Sequence, residues 1–179
     1  MLGGSSGIGS SIVDILFSKG CWIYNLDISE PLSSGVTKAT YFRTDVSSWQ
    51  PQLQAFKAVV AKHGHIDYVF ANAGTNEGEM AFEDKVDDKG DPIEPRWSTV
   101  SINLIGVLTT VKLAMHFFRA QEPQGGSIVM TTSRSGTVLT QDLSLIFANT
   151  LRIHGLVHAR IYGIQDWSKD KLRVSNLQS

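Results

Sequence analysis

Residues 3–9 read Gly3-Gly4-Ser5-Ser6-Gly7-Ile8-Gly9, and everything else in the chain is placed relative to this run. A backbone that turns sharply from strand into helix needs positive φ, which glycine adopts without penalty. A pyrophosphate can approach main-chain amides only where no Cβ intervenes, and it then rests on a helix N-terminus. Ser10 to Ser18 supplies that helix, with Ile12, Val13, Leu16 and Phe17 on one apolar stripe at helical spacing and Gly20 ending it. Cys21-Trp22-Ile23-Tyr24-Asn25-Leu26 then reads as a buried strand. Asp27 follows at its carboxyl end, where an acid can accept hydrogen bonds from a ribose diol. An Asp after a strand is equally a turn or helix-capping residue, so Asp27 has two readings. Only Met1 and Leu2 precede the turn, and the strand expected to lead into it is nearly absent.

The 179 residues are 42% hydrophobic with a formal net charge of -1, enough apolar content for one core and no charge bias toward nucleic acid. A single α/β domain over residues 1–179 is expected. Cys21 is the one cysteine, so no internal disulfide can form, and no stretch reads as a signal peptide or a membrane span. The expected setting is a reducing cytoplasm, with no membrane partner. Neither a repeat nor a low-complexity tail is present.

Helical and strand patterns alternate along the chain, as in a doubly wound, mainly parallel sheet. Ala39 to Arg43 reads as a strand leading to Asp45 and Val46. Ser48 is placed to N-cap a helix through Trp49, Leu53, Phe56, Val59 and Val60, with Gly64 beyond its end. Ile66 to Ala71 reads as a short central strand running into Asn72-Ala73-Gly74. Residues 75–95 carry Gly78, Gly90, Pro92 and clustered acids, and read as a solvated loop with a short helix. A long helix is expected from about Arg96 to Ala120, a strand over Ser127 to Met130, and a last helix from about Leu143 to Tyr162. Leu172 to Asn176 resembles the start of another strand.

Gly3-x-x-x-Gly7-x-Gly9, Asp45-Val46, Asn72-Ala73-Gly74, Asn103 and Ser133, taken in this order and at these separations, resemble the short-chain dehydrogenase/reductase family over nearly the whole chain. Leu2 stands where that family usually has Thr. The resemblance implies a Rossmann-type fold. It also implies an NAD or NADP site built from Gly3, Ser5, Ser6, Gly7, Ile8, Gly9, Asp27, Asp45, Val46, Asn72, Ala73 and Gly74. The activity it implies is oxidoreduction at an alcohol or carbonyl group of a small molecule. Charge favours NAD, because a carboxylate at Asp27 would repel the 2′-phosphate of NADP, and no Arg or Lys in the glycine turn or directly after Asp27 offsets it.

In the family a Tyr, its pKa lowered by a Lys one helical turn later, protonates the alkoxide. A Ser holds the substrate oxygen and an Asn supports a relay water. Ser133 matches the Ser and Asn103 the Asn. His154-Gly155-Leu156-Val157 resembles the small-residue segment after the Lys, and counting back from it puts Ile146 at the Tyr position and Thr150 at the Lys position. Neither side chain can move a proton. On a helix His154 and Tyr162 would lie about 12 Å and about 24 Å beyond Ile146, too far to substitute. Losing a general acid costs roughly 10²- to 10⁴-fold in rate, so activity by the family's usual mechanism is expected to be very low while cofactor binding survives.

The resemblance also makes the helices Arg96 to Ala120 and Leu143 to Tyr162 an oligomer interface, with a second copy or an intact homologue. It implies further that the segment closing over nicotinamide and substrate lies past Ser179, so that the C-terminal part of the fold is missing. A nucleotide-binding or scaffolding pseudoenzyme and a truncated gene product therefore stand beside the oxidoreductase reading. Ser133 has a plainer reading as a hydroxyl capping amides at a polar strand end. His154 and His158, at i, i+4, could pair on a metal but lack an evident third ligand, and read as surface or subunit-facing residues. His63 and His65 flank a turn glycine and read as solvated, Tyr162 as amphipathic surface, and Trp22, Trp49, Trp97 and Trp167 as packing.

Overall fold

The computed structural model describes residues 1–31, 39–75, 84–133, 157–164 and 174–176. Four helical segments are present among them: α1 (Gly7–Ser18), α2 (Trp49–His63), α3 (Ser98–Val100) and α4 (Val107–Ala120). A π-helical segment, Ser101–Gly106, joins α3 to α4 in one continuous rod, Ser98–Ala120. The strands are β1 (Tyr24–Asp27), β2 (Thr40–Arg43), β3 (Tyr68–Ala71), β4 (Gly126–Ser133), β5 (Val157–Ile164) and β6 (Val174–Asn176).

Two groups of strands, β1-β2 and β3-β4-β5-β6, are each parallel except for the antiparallel β5-β6 pair. Leu2 joins them through parallel bridges to Leu26 and to Ala71. The stub is well bonded for its length. Leu2 N–H donates to the Phe70 carbonyl at 2.9 Å, Asn72 N–H to the Leu2 carbonyl at 3.2 Å, Leu26 N–H to the Met1 carbonyl at 2.8 Å and Gly3 N–H to the Leu26 carbonyl at 2.8 Å. The residues next to the turn thus pair with both neighbouring strands.

Strand alternation sends side chains to opposite faces of the sheet. One face carries the larger core, in which Leu2, Tyr24 and Leu26 pack with Phe56 of α2 and Val111, Leu113, Ala114 and Phe118 of α4. The other carries Val13 of α1 with Ile23 and Ala39. Helices on both faces of a parallel sheet make the doubly wound arrangement. The rod Ser98–Ala120 is long and apolar enough to cross a membrane by length and composition. Val111, Leu113, Ala114 and Phe118 of the rod are buried in the larger core, while Ile105 and Leu108 are exposed.

Two buried amides tie elements together. Gln52 of α2 donates to the Val46 carbonyl at 2.6 Å and accepts from the Thr110 hydroxyl of α4 at 2.9 Å. Gln121 accepts from Ile66 N–H at 2.9 Å and donates to the Ile66 and Gly125 carbonyls. Helix α2 begins at the predicted Ser48, although the Ser48 side chain makes no capping bond, and ends at Gly64 in the left-handed conformation.

Several expectations need correction. Residues 157–162, expected to finish the last helix, belong to β5, which runs parallel to β4 from Gly126↔Val157 to Ser133↔Ile164. His158 and Tyr162 are strand residues, so the helical i, i+4 relation of His154 to His158 does not hold. The Val-His-Ala-Arg-Ile-Tyr-Gly-Ile run has the alternating, β-branched character that suits an added strand. Within the acidic loop, residues 86–92 make a tight turn, bridged from Val86 to Pro92, with the Asp87 carboxylate accepting from the Lys89 and Asp91 amides, while residues 76–83, part of the segment expected to hold a short helix, lie outside the described residues. Trp22, Trp49 and Trp97 are exposed instead of packed, and His63 accepts or donates a 2.9 Å bond with the Tyr24 hydroxyl where solvation was expected. Trp167 lies outside the described residues.

Candidate functional site

A cleft of about 510 Å³ opens at the carboxyl ends of the strands, where the winding of the sheet reverses on either side of Leu2. Gly3, Ser6, Gly7 and Ile8 line it from the turn, Asp27 from the end of β1, Asp45 and Val46 from the end of β2, and Asn72, Ala73 and Gly74 from the end of β3. Four segments that are far apart in sequence thus meet on one surface.

The turn is built for close approach. Gly7 has φ of 53° and nothing within 4 Å of where a Cβ would stand, which leaves open space at the start of α1. Gly9 is required for a different reason, because a Cβ there would run into the Gly3 carbonyl oxygen. Ser6 at the N-cap makes no side-chain capping bond, and the first turn holds no acidic residue. The amides at this helix start are what an anion would meet.

Asp27 makes the turn of its plainer reading and also faces the cleft. One carboxylate oxygen accepts from Ser5 N–H at 3.0 Å and the other from Ser29 N–H at 3.0 Å, the i to i+2 bond of an Asx turn. Each oxygen keeps a further lone pair, and the residue lines the cleft. Asp45 makes the same kind of turn, accepting from the Ser47 amide and hydroxyl at 2.9 and 2.7 Å.

Asn72 is the mechanical centre of the site. It donates to the Gly3 carbonyl at 2.9 Å and accepts from the Thr131 hydroxyl of β4 at 2.7 Å, so the glycine turn is held against the far half of the sheet. Asn103, within the π-helical segment, clasps the backbone of Thr75 with both ends of its amide, accepting at 2.9 Å and donating at 2.8 Å. Such π segments interrupt the ordinary helical ladder and re-aim side chains.

Three predicted site residues, Ser5, Gly9 and Asn103, are not on the surface of the cleft. Ser5 is buried, its hydroxyl donating to the Ser29 carbonyl at 2.6 Å and accepting from Asn25 at 3.0 Å. Gly9 packs under Gly3. Sequence reasoning also missed residues that line the cleft, among them Ser29, Thr44, Thr75, Ile102 and Thr131. None sits in a motif, although Thr131 lies two residues before Ser133 on the same strand. Ser133 ends β4, at the same end of the sheet, and its side chain lies outside the described residues, as do Ile146, Thr150 and His154. Among the described residues no group of His, Cys, Asp or Glu could hold a metal ion.

The comparisons with known proteins agree with this geometry. The family model for short chain dehydrogenase matches residues 1–145. Short-chain dehydrogenase/reductase prx4 of Penicillium roqueforti is 35% identical over 158 residues, covering 88% of this chain and 46% of that protein. NADP-dependent dehydrogenase M3 of a Phoma species is 34% identical, covering 65% of this chain and 37% of that protein. The chain thus spans about half or less of the length of these curated relatives. A crystal structure of a short chain dehydrogenase from Leptospira borgpetersenii with bound NAD+ superposes with a TM-score of 0.64 at 20% identity, covering 78% of this chain and 52% of that one. By sequence, by fold and by the residues gathered at its cleft, the chain belongs to the short-chain dehydrogenase/reductase family.

Proposed function

We propose that the cleft holds a nicotinamide dinucleotide, NAD in preference to NADP, in an oxidoreductase acting on an alcohol or carbonyl group of a small molecule. The observation that carries this reading is the convergence of the glycine turn, Asp27, Asp45-Val46 and Asn72-Ala73-Gly74 on one cavity. The pyrophosphate is assigned to the open side of Gly7, the adenosine ribose to Asp27, and the adenine to Asp45 and Val46. The cofactor, when bound, supplies or accepts a hydride. The chain's residues bind and orient it, with Asn72 stiffening the turn and Asn103 holding Thr75 at the rim.

Asp27 supports NAD by charge. A 2′-phosphate about 4 Å from its carboxylate would be opposed by about 4 kcal/mol at the effective dielectric of a protein surface. The relatives do not settle the choice, since one is described as NADP-dependent and a fold neighbour carries NAD+. Titration of the purified chain with NADH and with NADPH, read by energy transfer from tryptophan, decides it. NADH is expected to bind at least tenfold more tightly, and Asp27→Asn, which keeps an oxygen acceptor but loses the charge, should narrow the gap at least tenfold. Equal affinities in the unmodified chain would remove Asp27 as the discriminator, and no binding by a folded sample would remove the dinucleotide site.

Turnover is a separate matter. Ser133 and Asn103 are assigned as the substrate-oxygen and relay residues, and Ile146 and Thr150 occupy the positions of the proton donor and its activating cation. On this assignment the chain binds cofactor and turns over slowly. The cytoplasmic setting and pairing with another copy or a homologue through the outer face of Ser98–Ala120 belong to the same proposal. Ile105 and Leu108 are exposed large apolar residues on that rod.

A further inference from the structure

Asp27 and Arg43 are far apart in sequence and directly opposite each other in the sheet. Strands β1 and β2 pair in parallel with Asp27 against Arg43 and Asn25 against Tyr41, and residues in register project from the same face. The neighbours settle which face it is. Tyr24 and Leu26 belong to the larger core with α2 and α4. The alternate residues therefore point to the α1 side, where Asn25 accepts from Gly4 N–H at 3.0 Å and Asp27 from Ser5 N–H at 3.0 Å. Tyr41 and Arg43 share that side. Neighbouring strands lie about 4.8 Å apart, so the Arg43 side chain leaves the backbone beside Asp27.

The two charges are held differently. The Asp27 carboxylate is fixed by the Ser5 and Ser29 amides. Its main-chain carbonyl accepts from Thr44 N–H at 2.9 Å and from the Tyr41 hydroxyl at 3.1 Å, which locks the ends of the two strands together. Arg43 is exposed, and among the described residues the one ion pair is His65 with Asp67, so none of their carboxylates holds the guanidinium. Burial raises the Tyr41 phenol above its usual value, Arg43 works against that rise, and Glu30 and Asp27 add to it, so the cation and both acids act on one hydroxyl. Arg43 does not line the cleft, whereas Asp27, Ile28, Ser29 and Thr44 do. It is thus a cation just outside the cleft, on the side where Asp27 stands.

We propose that Arg43 is a second determinant of cofactor choice: it is the cation that a 2′-phosphate meets, and it offsets part of the repulsion from Asp27. The inference rests on the assignment of the adenosine ribose to Asp27. A phosphate carried on that ribose projects from the hydroxyl edge that Asp27 faces, and the planar guanidinium fork matches phosphate oxygens two at a time. Asp27 keeps the upper hand. Its carboxylate is locked in place by two amides, while Arg43 reaches the same point on a long stem and loses side-chain freedom in doing so. With the Asp27 charge removed, Arg43 sets the sign of the field at the ribose and the site turns toward NADPH. The strand register brings this cation to Asp27; it lies neither in the glycine turn nor directly after the acid.

Dissociation constants for NADH and NADPH test this, measured for the unmodified chain, Arg43→Gln, Arg43→Lys, Asp27→Asn and Asp27→Asn combined with Arg43→Gln. Arg43→Gln should weaken NADPH about fivefold or more and leave NADH within about twofold, because only NADPH carries the extra phosphate. Arg43→Lys keeps the charge without the fork and should fall in between. In the Asp27→Asn background, adding Arg43→Gln should remove most of the gained NADPH affinity. Salt should weaken NADPH binding to Asp27→Asn more steeply than to the double variant. NADH binding with an NADPH constant that Arg43→Gln leaves unchanged in both backgrounds would overturn the role of Arg43 and keep the cofactor site. Equal weakening of both dinucleotides by Arg43→Gln would make the residue structural and overturn it too. No NADH binding by the folded, unmodified chain would remove the cofactor site and this inference with it.

Discussion

Asn72 joins the glycine turn to the far half of the sheet through one side chain, donating to the Gly3 carbonyl at 2.9 Å and accepting from the Thr131 hydroxyl at 2.7 Å. Asn72→Ala removes both bonds, so a loss of about 1–3 kcal/mol is expected in urea melts. An unchanged midpoint would refute this structural role. The glycines of the turn and the two acids were readable at this scale because their roles follow from backbone geometry and local turns. Ser5 was not, since a serine in a glycine loop looks solvated until Asn25, 20 residues away, is seen to bond its hydroxyl.

At the scale of elements, polar side chains set how the helices meet the sheet. Gln52 is fully buried and links α2, the Val46 carbonyl and α4. Replacing it with Leu keeps the volume and strands the Val46 carbonyl and the Thr110 hydroxyl, although the latter also donates to the Gly106 carbonyl at 2.8 Å. An unsatisfied buried group costs about 1–3 kcal/mol, so Gln52→Leu is expected to destabilise the chain by that amount in urea melts. A smaller loss for Gln52→Glu would show that the acceptor bond from Thr110 carries part of it, and an unchanged midpoint for Gln52→Leu would refute the structural role. The sequence showed α1, α2, the rod Ser98–Ala120 and the strands to within a few residues, because their apolar periods are strong. It failed at β5, where Val157, Ala159 and Ile161 alternate with His158, Arg160 and Tyr162 over too few residues to stand out from the helical pattern read from Leu143 onward. It also could not show the π-helical turn around Asn103, which depends on the distant Thr75 backbone.

For the whole molecule, on the proposed assignment, binding and chemistry come from different parts of the chain, and this separation can be measured. Among the described residues, those lining the cleft fall between Gly3 and Thr131, on elements joined by the Asn72 and Gln52 contacts. The proton-transfer positions assigned by family resemblance, Ile146 and Thr150, belong to a later segment. A ligand that binds only the folded state stabilises it by about 2.7 kcal/mol at one hundred times its dissociation constant. Saturating NADH should therefore raise the melting temperature of the unmodified chain although turnover is negligible. Ile146→Tyr combined with Thr150→Lys should keep that shift, because it leaves the glycine turn, Asp27 and Asn72 untouched. It should also raise reduction of a simple ketone by roughly 10²-fold or more, the range that a positioned general acid contributes. Each single substitution should gain much less, since the Tyr needs the cation to lower its pKa and the Lys alone has no proton acceptor to serve. A double variant that still binds NADH but gains nothing in rate would show that Ser133 and Asn103 are not poised for catalysis, and would favour a nucleotide-binding role without turnover.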